Sequence, residues 1–502
     1  MVVATRLANA SSSSRFYYWK WNVMTTRGKM LGGSTSTNFM MYVRGNKEDF
    51  NRWSTEDLGG DTQWNYENLL PYFKKSEDYN GAWASQPDAL TYHGKGGLRN
   101  VGTYDFQPGV DEFLAAAVEK GYILGDYNGA NQEVFSKIDV TTQDGWREST
   151  YRSFYRDTGK PSNLCIKKYA RVTKINFLTL LGRPKAVSVT YQRQGITRTV
   201  TATKEVILSA GTFGSAQLLM ISGVGPAEHL SSLNIPLVKD LPVGKQLSDH
   251  VTTLVGPFLK SPGVNPNRDL TIQAATEFLT SGTGLLAAPG TLTGQGFIKS
   301  PVAEPDYADL QMVHSSASLY PELPQDLNKM FGPRVDILES WFDPYHKQNV
   351  DARFGLLILG RPKSVGELRL ASTNPYDNPI MDLQYLQHPD DVEAMLHESI
   401  LILIFGFKVS KYLWICMKNT VALTPSFFEK PVPGCDQTFK SDDYYRCVIR
   451  SFSFSIYHHV GTCALGKVVD GRLKVMGIDG LRVIDASVMP GFQMETHKQL
   501  PS

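Results

Sequence analysis

Hydrophobic positions along this chain switch between helical and strand spacing, and the switches outline its elements. Residues 111–120, DEFLAAAVEK, place apolar side chains on one helical face and stop at Gly121. A second helix is expected within 62–78, TQWNYENLLPYFKKSED. Residues 92–97, YHGKGG, read as a surface connection. Three β-branched runs follow, at 167–177, 186–193 and 198–203, with turns between them, as antiparallel strands require. Then 204–209, KEVILS, reads as a short apolar strand. Ala210-Gly211 ends it, and 215–222, SAQLLMIS, restarts as a helix. Strand, glycine turn and helix is the layout of nucleotide sites on open α/β sheets, and also of an ordinary βα unit.

Residues 251–362 are rich in Pro, Gly and Thr and carry no clear chemical motif. Residues 282–287, GTGLLA, match G-x-G-x-x-A, but the helix-like QAATEFLTS precedes them where a dinucleotide turn needs a strand. Further on, 366–372 and 379–386 read as strands. The run 400–407, ILILIFGF, reads as a buried helix started by Asp390, Asp391 and Glu393. It falls well short of the roughly 20 residues that span a bilayer. Near the end, LRVIDAS reads as a buried strand finishing at Asp485. The chain shows no internal repeats. The pattern as a whole is mixed α/β.

Chemistry concentrates at 27–53, RGKMLGGSTSTNFMMYVRGNKEDFNRW. Glycines at 28, 32 and 33 let backbone approach a ligand closely. Ser34 and Thr35 are capping residue types, and a helix is expected from them to Arg44-Gly45. Such an N-terminus offers free N–H groups and partial positive charge to an anion.

This stretch resembles the first signature of the glucose–methanol–choline (GMC) oxidoreductases, flavoenzymes that oxidise alcohols. SAGTFGSAQLLMISGVGP at 209–226 resembles the second signature, and LPVGKQLSDH at 241–250 resembles the motif that follows it. SIYHHVGTCALG at 455–466 resembles the family's active-site segment. The wording is closest to the insect glucose dehydrogenase branch. The resemblance implies an FAD-dependent oxidoreductase acting on CH–OH groups of an alcohol or a sugar such as glucose. It implies an FAD-binding Rossmann-like sheet beside a substrate domain with an antiparallel sheet and helices. The expected boundaries are 1–250 for the N-terminal FAD-binding region and 251–362 for the substrate region. The C-terminal region follows at 363–490, then a tail at 491–502.

Expected flavin contacts are Gly28, Leu31, Gly32, Gly33, Ser34, Asn38, Val172, Ala210, Gly211, Asp485 and Ala486. Thr37 stands where some relatives carry a flavin-linking histidine, so FAD is expected to be held without a covalent bond. An imidazole suits the task of taking a hydroxyl proton at neutral pH while carbon gives up hydride. The motif places that role on His458, with His459 facing elsewhere. His497, at about the right distance past Asp485, is read equally as the second residue on the substrate oxygen or as a chance residue in the tail. Quinone or oxygen is the implied electron acceptor.

The family's opening strand, G-x-G-x-x-G turn and helix do not occur in this sequence. Residues 3–9 resemble the helix after that turn, joined directly to later sequence. The usual final helix is missing as well, so the FAD sheet is expected to be incomplete at both ends. Weak FAD binding is the consequence. The alternative function is that of a non-catalytic or incomplete homologue that holds no FAD.

Composition changes little in this picture. The chain has 502 residues, 51 basic and 49 acidic, with 42% hydrophobic and 20% charged. That is globular, and no basic block points to nucleic acid. Five cysteines are too few for a disulfide scaffold, and Cys435 and Cys447 are read equally as a bridge or as two thiols. The first residues lack the form of a signal peptide, while the family is often extracellular, which is the expected location. Nothing in the sequence sets an oligomeric state.

Overall fold

The computed structural model describes residues 25–159, 161–259, 263–300, 302–305, 307–396, 426–427 and 430–491. The apolar run at 400–407, the segment 3–9 and His497 lie outside the described residues.

A seven-stranded antiparallel sheet forms one wall of the molecule. Val251–Leu259 pairs with Ala352–Leu359, which pairs with Leu310–Ser315, then Leu292–Ile298 and Phe135–Lys137. On its other side Val251–Leu259 pairs with Ser453–Ser455 and Ser426–Phe427. Most of these strands fall in the stretch where the sequence showed no pattern. The reason is burial: every residue of Val251–Leu259 and of Leu292–Ile298 is buried. A strand covered on both faces has no polar side to alternate with. Register sets what each face presents. Leu356 stands opposite both Leu254 and Val313, and Ile358 opposite Gln311, so these side chains share one face.

A second core lies around the βα unit read at 204–222. Val206–Leu208 pairs in parallel with Leu481–Val483, and the helix Gly211–Ile221 follows. Val206, Leu208, Leu481 and Val483 are buried in a cluster with Leu219, Met220 and Val488. The opposite face of this pair carries Ile207 at 50% exposure and Ile484 at 44%. The strands Ala170–Leu180, Arg183–Arg193 and Ile196–Thr201 form the expected antiparallel sheet. Expected strands at 366–372 and 379–386 appear as the pair Glu367–Arg369 and Ile380–Asp382.

Two expectations are corrected. Ser34 and Thr35 do not cap a helix running to Gly45. Only the single 3-10 turn Gly33–Ser36 forms, entered through left-handed Gly32 at φ 87°. The Asn38 side chain then accepts from the Met40 N–H and competes with any continued helix. The α-helix begins at Lys47, with Asn46 and Asp49 as a capping box.

The loop at 92–97 is not simply a surface connection, because His93 and Gly94 are buried. Glu77 accepts from Arg44 (2.6 Å), from the Gly94 N–H (2.8 Å) and from His93 Nδ1 (3.1 Å). His93 Nε2 also lies 2.7 Å from Asp126, and the ring stacks on Tyr79. Burial opposes charge on His93, but its bonds to Asp126 and Glu77 outweigh that and raise its pKa. The pair is desolvated, so removing one partner strands a charge. Replacing Glu77 by Gln is expected to cost ~3–5 kcal/mol, read as a lower midpoint in urea unfolding.

Candidate active site

The sheet face bearing Leu254, Leu356, Ile358 and Val313 lines a cavity of about 990 Å³. Ser34, Thr37 and Asn38 line it from the first glycine-rich stretch, Gly211 and Thr212 from the βα turn, and Ala486 from the C-terminal turn. His458 and His459 line it as well. Three distant stretches therefore meet in one space. The Asp485 carboxylate ties two of them together. It accepts from the Gly211 N–H (3.0 Å), the Ser215 hydroxyl (2.5 Å) and the Ser487 N–H (2.9 Å). Asp485, Ala210, Gly32 and Gly33 sit behind the lining. Gly32 gives its carbonyl to the hydroxyls of Thr35 and Thr150. Gly28 packs against the Gly33 carbonyl so tightly that a Cβ there would lie 2.1 Å from it. Leu31 and Val172, each 37% exposed, do not line the cavity.

The residue His459 borders the cavity, but its ring has partners other than those of His458. Arg27 Nη2 donates to its Nδ1, and its Nε2 lies 3.3 Å from the Asp249 carboxylate. A guanidinium only donates, so the His459 proton sits on Nε2, which lies near Asp249 without a hydrogen bond to it. Its backbone carbonyl accepts from Thr212 (2.7 Å), and its ring meets Phe213 edge-on. Arg27 also donates to the Tyr457 carbonyl (3.0 Å) and lies over the Phe213 ring. Asp249 accepts from Ser455 (2.6 Å) and from the Tyr385 hydroxyl. Burial pushes its pKa up to about 6, against these bonds and the Arg27 charge.

His458 opens onto the cavity. Its Nδ1 lies 3.0 Å from Nδ1 of His250, whose Nε2 lies 3.0 Å from the Gly360 carbonyl. Sequence reasoning missed Arg27, Asp249, Tyr385 and His250. The first residue of the glycine-rich stretch and the last two of LPVGKQLSDH were in view, but no local pattern shows that they meet.

The cavity fits the ring end of FAD. A Cβ added to Gly211, which lines the cavity, would meet nothing within 4 Å, and this glycine holds positive φ, at 79°. Open space over a glycine turn is what close approach of a flat ligand needs. Ser34, Asn38, Ala486 and His458 line the same space and are the residues such a ligand would meet. No strand, G-x-G-x-x-G turn and helix occurs among the described residues. Among them there is also no group of three His, Cys, Asp or Glu side chains that could hold a metal ion.

Comparison with known proteins agrees with this geometry. The N-terminal and C-terminal family models described as GMC oxidoreductase match residues 11–252 and 362–501. The chain is 36% identical over 479 residues to alcohol dehydrogenase [acceptor] of Pseudomonas putida, covering 92% of this chain and 78% of that one. It is 33% identical over 497 residues to glucose dehydrogenase [FAD, quinone] of Drosophila melanogaster, covering 96% and 73%. Against ecdysone oxidase of Bombyx mori it is 33% identical over 476 residues, covering 92% and 66%. The fold matches formate oxidase of Aspergillus oryzae with a TM-score of 0.75 at 24% identity, covering 93% and 81%. The chain belongs to the GMC oxidoreductase family, and spans 66% to 78% of the length of these three curated relatives.

Burial, then the Arg27 charge, lowers the His458 pKa to about 4. The imidazole is therefore a neutral base above that pH and protonated below it. The unfolded chain takes this proton near the reference value of about 6.5, so stability contributed by neutral His458 is lost as pH falls from about 6.5 toward 4. A histidine NMR titration of the folded protein is expected to place the His458 midpoint near 4, below the reference value of about 6.5.

Proposed function

We propose that this chain is an FAD-dependent oxidoreductase that oxidises an alcohol, with His458 as the base for the hydroxyl proton. The observation carrying this reading is the single cavity lined by Ser34, Asn38, Gly211, Ala486 and His458. FAD bound in this cavity would supply a hydride acceptor for the carbinol carbon, with quinone or oxygen as the final electron acceptor. The product is an aldehyde or ketone. The residues do the rest. His458 takes the O–H proton while the C–H bond breaks. Gly33, Ser34 and Asn38 shape the ring side, and Thr37 offers no imidazole for a covalent link. Arg147 donates to Asn38 (2.7 Å) and holds its amide. Arg27 lies behind His458 and disfavours a second positive charge there.

The cavity wall also bears on the substrate. Leu254, Phe354, Leu356, Ile358, Phe454 and Ile456 line it. A hydroxyl held against this part of the lining lacks a partner, at about 1–3 kcal/mol, while Arg27, Asp49, Gln311 and Arg361 offer polar partners elsewhere in the same cavity. An alcohol with an apolar body gains from burial against the sheet face. That face favours an alcohol with an apolar body over glucose.

The Cys435–Cys447 pair is bonded. That supports a site of action outside the reducing cytosol. No helix among the described residues is long and apolar enough to cross a membrane.

Protein purified with FAD present is expected to be yellow, with absorbance near about 450 nm. A folded protein that stays colourless with excess FAD would instead indicate the non-catalytic homologue. In the flavin-loaded protein, His458→Ala is expected to lower kcat by about 10²–10⁴-fold, the usual contribution of a general base. Near-normal turnover would remove His458 from the chemistry. In acceptor-linked assays, kcat/KM for a bulky apolar alcohol is expected to exceed that for glucose by at least about tenfold, the equivalent of one unpaired hydroxyl.

A further inference from the structure

We propose that His250 is a positioning residue that fixes the tautomer of His458, holding the His458 proton on Nδ1 and leaving the Nε2 lone pair free toward the cavity. This deepens the reading of His458 as base and rests on it.

The inference starts from an atom with one possible role. The Gly360 carbonyl can only accept, so His250 Nε2, 3.0 Å away, carries a proton and donates it. His250 is neutral: burial, then the neighbouring His458 and Arg361, hold its pKa well below the ordinary value. A neutral imidazole protonated on Nε2 has a bare Nδ1. That bare Nδ1 lies 3.0 Å from Nδ1 of His458. Two bare nitrogens at this distance would set lone pair against lone pair. His458 therefore supplies the proton, from Nδ1. Its own neutrality then leaves Nε2 as the free base. The chain of donation runs from His458 to His250 to a backbone carbonyl, and each link follows from the one before.

Backbone register holds this chain in place. Val251 pairs with Leu359, which sets His250 opposite Gly360. Ser248 and Val460 exchange both backbone hydrogen bonds while Val251 stands opposite Ser455, so the longer segment 456–459 bulges between these two fixed pairings, and His458 comes to His250 from it. The Gly360 N–H donates to the Asp309 carbonyl (2.8 Å) and keeps its own carbonyl aimed. The histidine pair thus sits at the margin of the sheet, with backbone pairings on both sides holding it.

Charged neighbours favour the same state. Arg27 faces His458 and Arg361 faces His250, and both oppose imidazolium. Asp249 accepts the backbone N–H of His458 and, by its side chain, Ser455 and Tyr385. A proton added to His250 would make its Nδ1 a donor, push the His458 proton to Nε2 and close the base.

The test is ring ¹⁵N–¹H correlation spectroscopy of the histidine-labelled full chain, near neutral pH. Wild type is expected to show His458 protonated on Nδ1 with Nε2 bare. His458 protonated on Nε2 would overturn the proposal, whatever the turnover. In His250→Phe the Nδ1–H signal of His458 is expected to be lost or mixed. A retained pure Nδ1 tautomer there would also overturn it. His250→Gln keeps one donor for Gly360 and one acceptor for His458, so it is expected to restore the wild-type signature and to cover the case where the Phe variant does not fold. In flavin-loaded protein, kcat is expected to fall about 10–100-fold in His250→Phe with little change in KM, part of what a general base supplies. Failure of the underlying reading would look different: the tautomer would stand as stated, yet His458→Ala would turn over normally.

Discussion

The candidate site depends on one buried carboxylate. Asp249 sits away from water, and burying an uncompensated ion costs several kcal/mol. The hydroxyls of Ser455 and Tyr385 and the backbone N–H of His458 meet it, with the Arg27 charge close by. These donors come from stretches far apart in the chain. Each is therefore held where the carboxylate needs it, and the segment 455–459 is placed as a result. His458 and His459 inherit their positions from that requirement. Asp485 plays the same part on the other side, gathering Gly211, Ser215 and Ser487.

Around these two anchors the division of labour is simple. The wide sheet supplies a stiff apolar wall, buried on both faces and set by register. Turns and strand ends supply polar groups at its margin, where backbone is free to present them. Apolar walls make each polar contact matter more, because competing water is excluded. A neutral imidazole pair survives there for the same reason: burial and nearby guanidinium groups both oppose imidazolium. Two buried charges near it are paired, Arg44 with Glu77 and Arg361 with Asp49.

Much of this was legible along the chain. The β-branched runs between 167 and 203 became the antiparallel sheet, because β-branched residues favour extended backbone and turns separate the runs; Arg183–Arg193 buries part of one face, while Ile196–Thr201 is exposed throughout. The unit at 204–222 was visible from an apolar run, a glycine and a helical pattern. GGST, SAGTFG and YHHVGT pointed to one kind of chemistry before any contact was known. Other features left no local trace. Val251–Leu259 and Leu292–Ile298 are buried throughout and read as featureless. The helix expected after Ser34 failed because the Asn38 side chain bonds locally and ends the turn. His93 lies in a glycine-rich loop of exposed appearance, yet meets Glu77 and Asp126 in the interior.

The mixed α/β class was readable from short-range spacing, since glycine turns and strand periods act over a few residues, while resemblance of three motifs pointed to the family and to His458 as the expected base. The pairing of His250 with His458, of Arg27 with His459, and the apolar lining of the cavity came from the folded arrangement. Those contacts join positions hundreds of residues apart, and their energies arise from burial and register, which exist only once the sheet has closed around them.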